Sequence, residues 1–260
     1  MDAAPLDFQK TIDFIALGRL LKPTLSWGLK SHINGPPVSL PPHISDFLDQ
    51  SLALAPGAAQ LAWRQFAGFC WANDLSPSEK LATRAQYLHL FLKYGTPRGI
   101  GILDLRPPTR SCADPACQSR GLTEPSHVAV TVFTKDFGPI PDFSSSYYCR
   151  HNSDAAIGCR TRYYNNYYVR ADKRTYYADE DIEFLQVSEH FYVERRLSEL
   201  FSLMMVSSWT SATNCARTYN EGLSNDLVSA ALPADWRYAL KMDVDDVSSL
   251  SAPPTLKQDG

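Results

Sequence analysis

CADPAC at residues 112–117 and CRHNSDAAIGC at residues 149–159 set four cysteines in two pairs, Cys112/Cys117 and Cys149/Cys159. The stretch between the pairs reads as β-structure, which would set the two cysteine turns at neighbouring hairpin ends, as two zinc knuckles closing one small site. Tetrahedral Zn²⁺ takes four soft or borderline donors, and Cys-turn-Cys loops supply them. Asp114-Pro115 inside the first pair is a turn-forming dipeptide that can bring both sulfurs round one centre. The second pair is looser, with nine residues between its cysteines, and His151, two residues beyond Cys149, is an alternative donor. The competing reading is four ordinary buried thiols.

The chain is 260 residues long and 44% hydrophobic, enough for one or two cores. A net charge of −3 means that any nucleic-acid role must rest on a local patch. MDAAPLDFQK at residues 1–10 has no basic region followed by an apolar run, so the expectation is a protein that is not secreted. No apolar stretch approaches the roughly 18 residues that a membrane span requires. In a reducing compartment paired cysteines lean towards metal rather than disulfides. Cys70 and Cys215 stand alone in helical surroundings and read as small core residues.

The pattern predicts an α+β protein in four parts. Residues 1–95 read as a helical N-terminal region. Ile12, Ile15, Ala16 and Leu20 share a helix face, and INGPPVSLPPH at residues 33–43 is a linker. Phe47, Leu48 and Leu52 mark a second helix, and Ala59, Trp63, Phe66 and Cys70 a third. SPSE at residues 76–79 is a capping box with proline at the first helical position; its helix carries Tyr87, Leu88, Phe91 and Leu92 and ends near Gly95. Residues 96–182 read as a β zinc-ribbon-like cysteine cluster, with HVAVTVF at 127–133 and TRYYNNYYV at 161–169 as strands and GPIP at 138–141 as a turn or loop. Residues 183–247 return to helix through Val193, Leu197, Leu200, Phe201 and Met204, and residues 248–260 are a polar, disordered tail.

Basic and aromatic residues gather beside the second cysteine pair. From residue 150 to 174, six basic side chains (Arg150, Arg160, Arg162, Arg170, Lys173 and Arg174) face only Asp154 and Asp172, a local balance of +4. Tyrosine doublets at 147/148, 163/164, 167/168 and 176/177 interleave with them. Arginine and lysine neutralise phosphates, while exposed aromatic faces stack on bases. Arg160, Arg162, Arg170, Lys173 and Arg174 are therefore the candidate DNA contacts. The alternative puts alternate tyrosines in the core and solvates the arginines. SSWTSATNCARTYN at 207–220 offers a polar turn, with Ser211 or Thr213 as N-cap, before a second helix. In a helix-turn-helix that helix would present Asn214 and Arg217 to base edges; otherwise both are plain helix surface.

LPPHISDFLDQSL (40–52), RPPTRSC (106–112), VTVFTKDFGPIP (130–141), TRYYNNYYV (161–169) and EHFYVERRLSELFSLMMVSSWTSATNCAR (189–217) occur in order. Together they resemble the cysteine-cluster domain near the N-terminus of KDZ (Kyakuja-Dileera-Zisupton) transposases of basidiomycete fungi, over roughly residues 40–245. The resemblance implies that Cys112, Cys117, Cys149 and Cys159 bind Zn²⁺. It also implies that the domain serves nucleic-acid recognition at transposon ends in the nucleus, ahead of a separate catalytic region. Two departures stand out. The family's second knuckle is a tight Cys-x-x-Cys, whereas HNSDAAIG intervenes before Cys159, and a longer loop lowers metal affinity. A catalytic region should also follow residue 247, where this chain ends in SSLSAPPTLKQDG, as a truncated, domesticated or degenerate copy would.

The expected function is a zinc-dependent DNA-binding module without catalysis of its own. The alternative is an interaction domain that assembles transposase subunits. An enzyme would need more than Asp243, Asp245 and Asp246, clustered acids near the chain end that read as a solvated charge run. Four thiolates also make a closed structural site without the open position that a zinc hydrolase requires.

Overall fold

The computed structural model describes residues 6–29, 35–117, 121–150, 159–178, 182–224, 236 and 240–251. Packing divides the chain into two compact units: Met1–Asp104 with Thr109–Thr123 and Cys149–Cys159, and Leu105–Pro108 with Glu124–Tyr148 and Arg160–Gly260.

The first unit is built on four helices, α1 (Phe8–Trp27), α2 (Pro42–Ser51), α3 (Ala58–Trp71) and α4 (Pro77–Leu90). Side-chain chemistry starts three of them, α1, α3 and α4. The Asp7 carboxylate accepts from Lys10 N and begins α1. Ser76 and Glu79 form the expected capping box of α4, with Pro77 in its first turn. Buried Asp49 accepts from Gly57 N and Ala59 N, both at 2.7 Å, so a carboxylate of α2 satisfies the orphan amides opening α3. The α4 pattern runs on through a wider turn at Phe91–Gly95, where Phe91 and Leu92 are buried.

The buried face of α1 differs from the expected one. Phe14, Leu17, Gly18, Leu21 and Leu25 point inward, while Ile12 is 44% exposed. This helix is apolar around most of its surface, so periodicity alone selected the wrong stripe. Gly18 decides the matter, because α3 brings Cys70 against it. A Cβ built on Gly18 would collide with Cys70 Sγ and lie 3.1 Å from Cys70 Cβ. Trp63 lies fully buried beside this crossing and donates its indole N–H to Pro37 O at 2.8 Å.

The second unit holds one seven-stranded sheet in the order β5-β4-β3-β2-β1-β7-β6. Its strands are β1 (Thr123–Thr134), β2 (Gly138–Tyr148), β3 (Arg162–Tyr163), β4 (Tyr167–Arg170), β5 (Lys173–Tyr176), β6 (Phe184–Gln186) and β7 (Phe191–Glu194). GPIP is a correction: it opens β2, and the turn lies at residues 135–137, with Gly138 at φ 73 and Thr134 Oγ1 donating to Gly138 O at 2.8 Å. Prolines survive here because Ser145 N points away from β1, to Leu105 O. By strand alternation the missing N–H groups of Pro139 and Pro141 fall on that same side, where β3 pairs only with Tyr147 and Tyr148.

Residues 184–186 and 191–194 are also strand where helix was expected. Val193 lies in β7, which runs parallel to β1 with Phe133 opposite Val193. Helix α5 (Arg195–Ser208) starts directly after it, and its Leu197 and Phe201 share one core with Phe133 and Val193. Val193 thus matched the helical spacing only because strand and helix feed the same core. A short connection leads to α6 (Ala212–Thr218), capped by Ser211, and Cys215, Ala216 and Tyr219 complete the packing. Helix α7 (Val244–Ser251) adds Val247 to that core. The tail beyond residue 251 lies outside the described residues.

Asn165 and Asn166 between β3 and β4 are buried. Both side-chain amides donate to Phe184 O, at 2.9 and 2.7 Å, and Asn166 Oδ1 accepts from Gln186 N at 2.6 Å. They pin the β3–β4 turn to β6, six places along from β5, so the sheet curls back on itself.

The Gly18–Cys70 crossing is directly testable. Gly18→Ala should lower stability by about 1–3 kcal/mol, as overpacking does, and Cys70→Ala in the same chain should recover part of the loss. Urea unfolding of the two single variants and the double variant measures both effects.

Candidate metal centre and basic sheet face

The path of the chain gathers the cysteines. Strands β1 and β2 are of nearly equal length, 12 and 11 residues, and a three-residue loop joins them, which requires antiparallel pairing. An antiparallel hairpin returns the chain to where it entered. Cys117 lies six residues before Thr123, and Cys149 directly follows Tyr148.

The first cysteine loop is framed locally. Ser111 bridges to Gly121, and Leu122 N donates to Arg110 O at 2.9 Å. Arg110 Nη1 donates to Ser26 O at 2.8 Å, satisfying a carbonyl of the last turn of α1. Asp114 shapes the turn itself. Its carboxylate accepts from Ala116 N at 3.0 Å and its carbonyl from Cys117 N at 2.9 Å. Its own N–H points at Cys112 Sγ, 3.5 Å away.

All four sulfurs, of Cys112, Cys117, Cys149 and Cys159, lie within 4.8 Å of one another. Cys112 Sγ is 3.6 Å from Cys159 Sγ, and Cys149 Sγ is 3.8 Å from Cys117 Sγ. A regular tetrahedron with arms of about 2.3 Å has edges of about 3.8 Å, so both close pairs sit at the spacing of a four-thiolate metal site. Neither is a disulfide, whose sulfurs would be about 2.0 Å apart, and all four cysteines are free. Three are buried, and Cys159 is partly open. Burial, then hydrogen bonding to the other three thiols, pushes the Cys117 thiol far above its ordinary range. A soft cation would reverse that preference, because it binds the thiolate form. The four cysteines could therefore hold a metal ion. His151, the alternative donor, lies outside the described residues.

The candidate DNA contacts occupy two settings. Register runs Tyr148–Arg162–Val169–Arg174 across β2 to β5, so Arg162 and Arg174 share one face. Tyr147–Tyr163–Tyr168–Thr175 forms the opposite row. Each tyrosine doublet thus gives one ring to each face. Tyr147 and Tyr163 are buried, whereas Tyr176 is 49% exposed. Arg170 and Lys173 pair across the hairpin tip on the other face, where Ala171 and Asp172 both take positive φ, 46 and 61, as a tight two-residue turn requires. Arg160, at φ 47, turns the chain out of the cysteine cluster. The five basic residues therefore do not form one row. Asn214 and Arg217 are exposed on α6, a separate element whose opposite face is core.

Asp243, Asp245 and Asp246 open α7. Asp246 Oδ2 accepts from Asp243 N at 3.0 Å and Asp243 Oδ1 from Val244 N at 2.6 Å. Burial raises the pKa of Asp246. These acids serve a helix start. The signal for the buried Asn165 and Asn166 was only two amide side chains in a turn, and their partner strand is eighteen residues or more away.

Fold and site together define a mixed α+β protein with a closed four-cysteine cluster. Residues 100–223 match the family model described as "CxC5 like cysteine cluster associated with KDZ transposases". That stretch of the chain is similar to this family, and it contains all four cysteines and every strand. The match is narrower than the roughly 40–245 that the sequence motifs suggest. No curated protein and no solved structure matches the chain.

Titrating the reduced chain with Co²⁺ should give one ion per chain with thiolate charge-transfer absorption. Cys117→Ser or Cys149→Ser should weaken binding at least tenfold, and Cys70→Ser should not. Equal binding by all these variants would mean that the sulfurs hold no ion.

Proposed function

We propose that the chain is a zinc-dependent DNA-binding module of a KDZ-type fungal transposase, or of a copy derived from one, acting in the nucleus and without catalysis of its own. The observation that carries this reading is the convergence of Cys112, Cys117, Cys149 and Cys159 at tetrahedral spacing inside the stretch that matches the transposase-associated family. Four cysteines would leave a bound Zn²⁺ no open position for substrate or water. Its role is then structural, and the metal would order the chain immediately before the basic strands. Among the described residues the converging ligand group is this cluster, not the acids of α7.

DNA contact falls to Arg160, Arg162, Arg170, Lys173 and Arg174, with Asn214 and Arg217 as base readers from α6. An interaction module assembling transposase subunits is the second reading. It is favoured by Leu203, Val206 and Trp209 at the end of α5, which are 63%, 80% and 92% exposed. No helix among the described residues is long and apolar enough to cross a membrane.

The test measures zinc content, then DNA binding as a function of salt, on the reduced full chain. One Zn²⁺ per chain is expected, and chelation should abolish DNA binding. Neutralising Arg174 or Lys173 should weaken binding to all sequences and reduce the salt slope by roughly one unit per lost phosphate contact. Arg217→Ala should change sequence preference instead. No DNA affinity at low salt in a folded, zinc-loaded sample would leave the interaction module as the better reading.

A further inference from the structure

We propose that the face of β3–β5 carrying Arg162, Tyr164, Tyr167, Arg174 and Tyr176 binds single-stranded DNA by stacking unpaired bases on its tyrosine rings. This deepens the DNA-binding reading and rests on it.

Strand alternation puts the five side chains on one face, since Tyr164 lies two residues beyond Arg162 and Tyr167 pairs with Tyr176. The three rings form a continuous run. Tyr164 and Tyr167 stack at 4.8 Å with planes 29° apart, and Tyr167 meets Tyr176 at 5.6 Å. The run is bounded by cations. The Arg174 guanidinium lies 4.3 Å over the Tyr167 ring and that of Arg162 5.7 Å over Tyr164.

The partners of these cations are neutral. Arg162 donates to Ser146 Oγ at 3.0 and 3.2 Å, and Arg174 contacts the Tyr176 hydroxyl at 3.4 Å. Neither contact neutralises the positive charge, as a carboxylate would. The face is thus positive and aromatic at once, complementary to a polyanion that can also offer flat rings.

Duplex DNA cannot use such a surface, because its base faces are already stacked inside the helix. Only unpaired bases can lie on tyrosine rings while their phosphates meet the arginines. Tyr167 is already covered by Tyr164 and the Arg174 guanidinium, so the outer rings of Tyr164 and Tyr176 suit about two successive nucleotides, as sheet-surface aromatics do elsewhere. A helix such as α6 is the more fitting reader of duplex, so one chain would hold two surfaces for two forms of DNA.

The experiment uses the zinc-loaded full chain and fluorescein-labelled oligonucleotides: a thymidine 12-mer, a mixed-sequence duplex of the same length, and the uridine 12-mer. Fluorescence anisotropy gives each affinity at one salt concentration. The thymidine strand should bind at least tenfold more tightly than the duplex and no more weakly than the uridine strand. Tyr176→Ala and Tyr164→Ala should each weaken it about 5- to 150-fold. Tyr176→Phe and Tyr164→Phe keep the ring and should stay within about twofold. Circular dichroism melts and zinc content confirm that each variant is folded.

Equal or tighter duplex binding would overturn the stacking face and leave the DNA-binding reading intact. So would unchanged single-strand affinity in folded alanine variants, or a tenfold preference for the uridine strand, which would make the ligand RNA. Absence of binding to all three probes would remove both readings together.

Discussion

The antiparallel return of the β1–β2 hairpin is the constraint from which the rest follows. Cysteines 32 and 47 residues apart in sequence, Cys117 with Cys149 and Cys112 with Cys159, meet because a hairpin of matched strand lengths brings the chain back to its entry point. Without that return, the two pairs would be unrelated loops. With it, four sulfurs converge, and burial disfavours the Cys117 thiolate while a bound metal ion would favour it. Structural zinc contributes roughly 10–16 kcal/mol in small cysteine-rich peptides. Against the tight two-residue knuckle that the sequence resemblance implies, nine intervening residues between Cys149 and Cys159 are about two doublings, near 1.3 kcal/mol of closure entropy. The longer loop weakens such a site without forbidding it.

The sheet that extends from this hairpin explains the tyrosine doublets. A doublet in a strand cannot be wholly buried or wholly exposed, since neighbouring side chains leave on opposite faces. Tyr163 therefore enters the core while Tyr164 leaves it, and Tyr147 and Tyr148 divide the same way, whereas Tyr167 and Tyr168 are both half-buried on opposite faces. Reading the tyrosines as all core or all surface was never open to this chain. The arginines follow the same parity, which is why a compact charge cluster in sequence becomes two settings on the hairpin.

Asn165 and Asn166 show what a turn can do beyond turning. A buried amide left without partners costs on the order of 1–3 kcal/mol, so each hydrogen bond to Phe184 or Gln186 is enforced by the cost of losing it. These bonds hold the β3–β4 turn to β6, the strand at the far edge of the sheet. At the helical end, α5 begins the moment β7 stops, and Phe133, Val193, Leu197 and Phe201 share one core across that junction.

By itself the sequence determined everything whose cause is local. The capping box at Ser76 and Glu79, the Asp114-Pro115 turn, the β-branched run of β1 and the Ser211 cap all arise from neighbours a few residues apart, and all are legible in the string. The cysteine pairs were legible too, and so were the motifs of the transposase-associated family. The tertiary structure alone decided the features that depend on distant partners. It selected the buried stripe of α1, because Cys70 from another helix requires Gly18 to face it. It made strands of residues 184–186 and 191–194, because β1 offered Phe191 to Val193 a parallel edge, and β7 in turn paired with β6, which no spacing within the segment records. It also brought the two cysteine pairs together, because strand length and turn geometry, rather than the cysteines themselves, determine where the chain returns.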